Sequence, residues 1–185
     1  MTAATVLTIP GLWNSGAEHW QTHWEQAYGY RRVVQREWER PDRAEWVAAL
    51  EAAVAATPGP LVLAAHSLGC TLVASWSEST AHAARVRGAL LVGPSDCEAP
   101  SYPSGTTGFT PMPRAPLAFP AIVVASTDDP YVTIPRAESF ASSWNARFVS
   151  IGAQGHINSD SRLGLWAEGH ALIEPWLHAA GAPER

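Results

Sequence analysis

Short apolar runs recur along the chain, each closed by turn residues, and segments of helical pattern lie between most of them. Residues 5–9, 61–65, 86–92, 121–126 and 148–151 are near-continuous hydrophobic stretches of strand length, and 31–37 is a weaker one centred on Val33-Val34. Continuous runs, rather than strict alternation, are what strands covered on both faces require. The intervening segments 17–27, 43–55, 135–145 and 166–179 carry helical spacing. In 43–55, for example, Trp46, Leu50 and Val54 fall at i, i+4 and i+8 on one face. This alternation predicts a single α/β domain over residues 1–185, with a mostly parallel six-stranded sheet and helices on both faces. Residues 93–120 break the rhythm, being long, irregular and rich in Pro, Gly and Ser. Loops of that kind in a small domain are commonly functional. Phe109, Met112, Pro113 and Leu117 are therefore expected to wall a substrate pocket, unless the segment is a plain solvated connector.

The chemistry is concentrated at strand ends. The third strand runs into Ala65-His66-Ser67-Leu68-Gly69, and a helix-compatible stretch follows. A serine on a sharp strand-to-helix turn, flanked by small residues, is lifted clear of the sheet with a helix N-terminus aimed at it. The usual pattern is G-x-S-x-G; here Ala65 replaces the first glycine and Gly69 keeps the second. Alone, the string is equally compatible with a helix cap. Downstream, Thr127-Asp128-Asp129-Pro130 follows the fifth strand and Gly155-His156 follows the sixth. Ser, Asp, His, each past the carboxyl end of a strand, is the chain order of α/β-hydrolases. A serine hydroxyl needs a base to remove its proton, and the base needs a carboxylate to fix its tautomer.

Several blocks together resemble the small serine hydrolases that include the retinoblastoma-binding serine hydrolase and its bacterial relatives. The blocks are Pro10-Gly11, Asn14-Ser15-Gly16, His19-Trp20-Gln21, His66-Ser67-Leu68-Gly69, Ser126-Thr127-Asp128-Asp129-Pro130-Tyr131 and Gly155-His156-Ile157-Asn158, from about Thr5 to Pro175. The resemblance implies an abbreviated α/β-hydrolase fold without a separate cap and the strand order two, one, three, four, five, six. It also implies Ser67 as nucleophile, His156 as base and, because the family's acid precedes the proline, Asp129 as the acid, with Asp128 left as a turn residue. In the wider superfamily two backbone amides form the oxyanion hole, one after the nucleophile and one in the first loop. These correspond to Leu68 and Leu12, with Trp13 next in line for the second. Trp13, Asn14 and Ser15 are candidate pocket residues, although Asn14 and Ser15 suit a turn equally well.

The remaining composition narrows the class. A net charge of -5 and scattered basic residues, all arginine, argue against nucleic acid. No apolar run is long enough to span a bilayer, and the N-terminal residues lack the pattern of a secretory signal. With Cys70 and Cys97 as the two cysteines, no disulfide framework is expected and a reducing cytoplasmic setting is the default. Cys70 suits a core helix, and Cys97 is expected in an exposed loop. His19 and His23, four apart, have the spacing of metal ligands on one helix face, but no third ligand lies nearby and the H-E-x-x-H glutamate is missing. Of nine tryptophans, Trp13 and Trp144 are the two expected to touch a ligand. The sequence thus predicts a cofactor-free and metal-free hydrolase of a small ester, thioester or amide. The alternative is a catalytically weak binding module that engages a protein through 93–120.

Overall fold

The computed structural model describes residues 3–178. Six parallel strands form one sheet in the order β2-β1-β3-β4-β5-β6: β1 Thr5–Ile9, β2 Arg31–Arg32, β3 Leu61–His66, β4 Val86–Val92, β5 Ala121–Ala125 and β6 Arg147–Ser150. Four α-helices lie between the strands and a fifth follows β6: α1 Trp20–Tyr28, α2 Arg43–Ala55, α3 Leu68–Ser77, α4 Ile134–Ser143 and α5 Ala167–Leu177. The sequence places the last helix as far as Ala179, a position outside the described residues.

Side-chain alternation along the strands divides the core into two layers. Leu61, Leu63 and Ala65 of β3 face the same layer as Trp46, Leu50 and Val54 of α2, much of α3, and Ala137 and Phe140 of α4. Val62 and Ala64 face the opposite layer, with Trp20 and Trp24 of α1 and Ile173 of α5. The sheet is therefore sandwiched between helices, and every residue of β3 is buried. The chain reverses its direction of growth between β1 and β3, where open parallel sheets form a crevice beyond their carboxyl ends.

Two expectations need correction. Strand β2 is only Arg31–Arg32, paired with Leu7 and Thr8, rather than 31–37. Val33 adds one bond, its amide donating to the Thr8 carbonyl at 2.9 Å, but Val34 stands 71% exposed. The cause lies in β1, which ends at Ile9 and is followed by Pro10, a residue with no N–H to extend a ladder. The 93–120 loop, for its part, keeps an exposed side but turns its large apolar residues inward. Phe109, Met112, Leu117 and Phe119 are buried with α2 and α3, and Thr107 bridges to Asp42 at the head of α2.

Candidate active site

The turn between β3 and α3 holds Ser67 at φ 57°, ψ −126°. A non-glycine residue there carries strain of about 1–3 kcal/mol, which surrounding contacts must offset. Close packing offsets it. A Cβ on Gly69 would lie 2.4 Å from the Ile9 carbonyl oxygen, and one on Gly11 would lie 2.7 Å from the Ser67 Cβ. These two glycines let the end of β1 and its loop press against the elbow. Ala65, where the motif has glycine, is fully buried in regular strand, so its methyl group is accommodated and the turn is kept.

Ser67, His156 and Asp129 come from the ends of three strands into one hydrogen-bonded line. Ser67 Oγ lies 2.9 Å from His156 Nε2, and His156 Nδ1 lies 2.9 and 3.0 Å from the two carboxylate oxygens of Asp129. A carboxylate only accepts, so Nδ1 carries the hydrogen and Nε2 is free to accept the serine proton. The Asp129 side chain is wholly buried, and its Oδ1 also accepts the Tyr131 amide at 2.8 Å. Asp128 faces elsewhere. Its Oδ1 accepts from Ser126 Oγ and the Gly155 amide, both at 2.7 Å, while Ser126 Oγ accepts the Gln154 amide. Those bonds, the Ser126 hydroxyl first, hold the Asp128 carboxyl below the usual range and tie the end of β5 to the loop bearing His156.

The His19-Trp20-Gln21 block acts as a keystone for the same loops. Trp20 Nε1 donates to the Ile157 carbonyl at 3.0 Å, beside His156. Gln21 Nε2 donates to the Ala64 carbonyl at 2.9 Å, and its Oε1 accepts the Ser15 hydroxyl at 2.6 Å. His66 Nε2 donates to the backbone carbonyl of His156 at 2.8 Å. Burial, followed by the coupling to the neighbouring imidazole of His19, holds His66 well below its usual pKa. His19 stacks edge-on against His66 with ring centroids 4.6 Å apart. Its Nδ1 accepts the Gln21 amide, which makes it the cap of α1 rather than a residue within it. Burial, then Arg32, brings the His19 pKa down to about 3. His23 instead lies 3.9 Å from Glu18, and among the described residues no group of three or more His, Cys, Asp or Glu is placed to hold a metal ion.

Leu12, Trp13 and Asn14 follow Gly11 across the elbow. The Trp13 amide donates to the Trp38 carbonyl at 2.9 Å, so it is already committed. The amides of Leu12 and Leu68 have no such acceptor among the described residues; both border the elbow, and Leu68 opens α3. An anchored arginine fixes the next turn. Arg32 donates to Asn14 Oδ1, the Ser15 carbonyl, Thr22 Oγ1 and the Glu25 carboxylate, at 2.6 to 3.1 Å.

Ser67 and His156 open on a cavity of about 150 Å³ whose walls include Leu12, Trp13, Asn14, Tyr102, Tyr131 and Asn158. Trp13 stands over it, 56% exposed. The other expected pocket residues lie elsewhere. Ser15 is buried against Gln21, as a turn residue would be. Phe109 packs on Trp46 in the core, with ring centroids 5.8 Å apart, and Met112 lies in the same layer. Pro113 offers its carbonyl to the indole of Trp144, which is itself fully buried and so cannot meet a ligand. Cys97 is buried too, and burial raises its thiol to about 11, so it is not a reactive surface cysteine. The loop instead brings Ser95, Tyr102 and Pro103 to the cavity, and Ser95 Oγ lies 2.7 Å from Ser67 Oγ. Ser95 carries no pattern in the sequence that separates it from ordinary loop residues, whereas His66 lies within the His66-Ser67-Leu68-Gly69 block without a role of its own being legible there.

A search of curated proteins found no significant match. Among solved structures, a protein described as a YdeN-like hydrolase from Pectobacterium atrosepticum superposes with a TM-score of 0.80 at 29% identity, over 92% of this chain and 89% of that one. The ydeN product of Bacillus subtilis gives 0.70 at 18% identity, over 94% and 98%. The type II thioesterase BorB of the borrelidin biosynthetic cluster gives 0.64 at 17% identity, over 98% and 94%, a likeness of fold. The family model described as serine hydrolase matches residues 6–175, which contain all of the sheet but the first residue of β1 and all of the loops that meet at Ser67. The chain belongs to the serine hydrolase family, and it is a hydrolase of α/β-hydrolase fold.

Proposed function

We propose that the protein hydrolyses small acyl esters, thioesters or amides through an acyl-enzyme on Ser67. The observation that carries this reading is the unbroken line Ser67–His156–Asp129, with the serine oxygen on a strained elbow at the cavity floor. In acylation Ser67 Oγ attacks the carbonyl carbon while its proton passes to His156 Nε2. The carbonyl π pair moves onto oxygen, where the Leu12 and Leu68 amides receive the charge. Collapse expels the alcohol, thiol or amine, which takes the proton from Nε2. Water then repeats the sequence, and the acid leaves as Ser67 regains its proton. Asp129 stays ionised and steadies the imidazolium.

The cavity bounds the substrate. A volume near 150 Å³ is about the space that holds a benzene-sized group, so acyl parts up to that size fit beside Ser67. The relay needs no cofactor or metal, and a cytoplasmic setting suits the two free, buried cysteines. One domain without a cap provides every part of this machinery. The apolar side chains of the long loop serve the core, which leaves the binding-module alternative without a surface to favour it. The test is turnover of activated esters of increasing acyl length by wild type and Ser67→Ala. Loss of the nucleophile costs about 10⁶ in rate in a comparable relay. Hydrolysis of acetyl to benzoyl esters, falling for long acyl chains and abolished in a folded Ser67→Ala protein, is expected. Equal turnover by the variant would overturn the reading.

A further inference from the structure

We propose that Ser95 is a second hydroxyl of the reaction centre, donating a hydrogen bond to Ser67 Oγ while that oxygen gains or sheds charge. The inference rests on the acyl-enzyme reading above and adds a residue to it.

The direction of the bond follows from counting hydrogens. His156 Nδ1 faces two carboxylate oxygens that can only accept, so it holds the ring hydrogen and leaves Nε2 an acceptor. Ser67 has one hydroxyl hydrogen, and Nε2 at 2.9 Å takes it. The 2.7 Å contact between Ser67 Oγ and Ser95 Oγ can then be made only by the Ser95 hydrogen. Ser95 is not a loose surface residue that meets Ser67 by chance. It is 1% exposed, and the next residue is clamped from two sides. The Asp96 amide donates to the Tyr131 carbonyl at 2.9 Å, and the Asp96 carboxylate accepts from Arg136 at 2.7 and 2.8 Å. The hydroxyl also borders the substrate cavity.

A donor at that place acts in both halves of the cycle. In acylation the Ser67 oxygen becomes more negative as its proton passes to Nε2, and a hydrogen bond to a charged acceptor is the stronger kind. In the acyl-enzyme Oγ is an ester oxygen and a poor acceptor, so the Ser95 hydroxyl is released towards the cavity. In deacylation the bond from Oγ to the acyl carbon breaks, charge returns to Oγ, and Ser95 donates to it again before Nε2 gives the proton back. Ser95 keeps its own proton throughout.

Replacement of the hydroxyl tests this, with a small fluorophosphonate and an activated acetyl ester as probes. Ser95→Ala is expected to lower kcat and the rate of Ser67 phosphonylation together, by about ten- to a hundredfold, with KM within about twofold. Ser95→Cys keeps the bulk and is a weak donor, so its rates should fall between the two. A merely steric role predicts wild-type rates for Ser95→Cys. That result, or a folded Ser95→Ala with kcat and phosphonylation within twofold of wild type, would overturn the proposal. If Ser95→Ala does not fold, Ser95→Cys alone decides. Failure of wild type to be phosphonylated at Ser67 would instead sink the acyl-enzyme reading itself.

Discussion

At the residue scale, two adjacent aspartates of the same charge do different work because one backbone step turns them to opposite sides. Asp129 is buried against His156, whereas Asp128 bonds Ser126 and the Gly155 amide. Asp129→Asn would present an amide to Nδ1 and favour the wrong tautomer, a change that costs about 10⁴ in a comparable relay. Asp128→Asn can keep an acceptor oxygen towards the same donors and should cost less than about tenfold, through a looser His156 loop. Steady-state kcat/KM of the two variants checks this, and the reverse order would move the acid to Asp128. The order of these residues along the chain was legible from the start, since each follows an apolar run. Which aspartate is the acid came from resemblance, because periodicity does not distinguish neighbours in a turn.

At the element scale, the active site depends on how closely the end of β1 approaches the start of α3. Gly69→Ala would set a methyl carbon 2.4 Å from the Ile9 carbonyl oxygen, and backbone on both sides leaves little room to yield. Overpacking of this kind costs about 1–3 kcal/mol, and here it would also displace Leu68 and Ser67. Denaturant unfolding should show that loss, and kcat should fall further than stability alone explains. Ala65→Gly, which restores the family pattern, should change kcat little, because residue 65 already sits in unstrained strand. A Gly69→Ala protein as stable and active as wild type would contradict the close approach.

The same scale shows where sequence patterns stop. Strands β1, β3 and β4 and helix α2 were legible as apolar runs of the right length, because burial on two faces leaves a continuous signal. Strand β2 was overextended, since its pattern says nothing about where its neighbour ends. Phe109 and Met112 were assigned to a pocket because a loop carries no period to show which way a side chain points. Only the fold shows that Phe109 packs against Trp46 and that Met112 joins the same core layer. Ser95 was invisible for a similar reason, as its role arises from a contact between segments 28 positions apart.

At the scale of the whole molecule, histidines buried around the site couple stability to pH. His19 has a folded-state pKa of about 3 and His66 lies well below its usual value, both chiefly because burial penalises the charged ring. Unfolded, each would take up a proton below about pH 6.5. The unfolded chain therefore binds more protons than the folded one from there down to about pH 3 for His19. Stability is present in full above the unfolded pKa and is lost as pH falls. For His19 alone the loss from pH 7 to pH 5 is about 2 kcal/mol, and His66 adds to it. Urea unfolding at the two pH values should show lower stability at pH 5, and equal stability would contradict the buried neutral rings.

The kinetic expectations all rest on Ser67 forming a covalent bond during turnover. The most direct measurement is intact-protein mass spectrometry after brief reaction with a fluorophosphonate or an activated acyl ester, followed by peptide mapping of the adduct. The account predicts one equivalent of label, on the peptide carrying Ser67, formed by wild type and absent from Ser67→Ala. An adduct on any other residue, or ester hydrolysis by a protein that never carries label at Ser67, would contradict it.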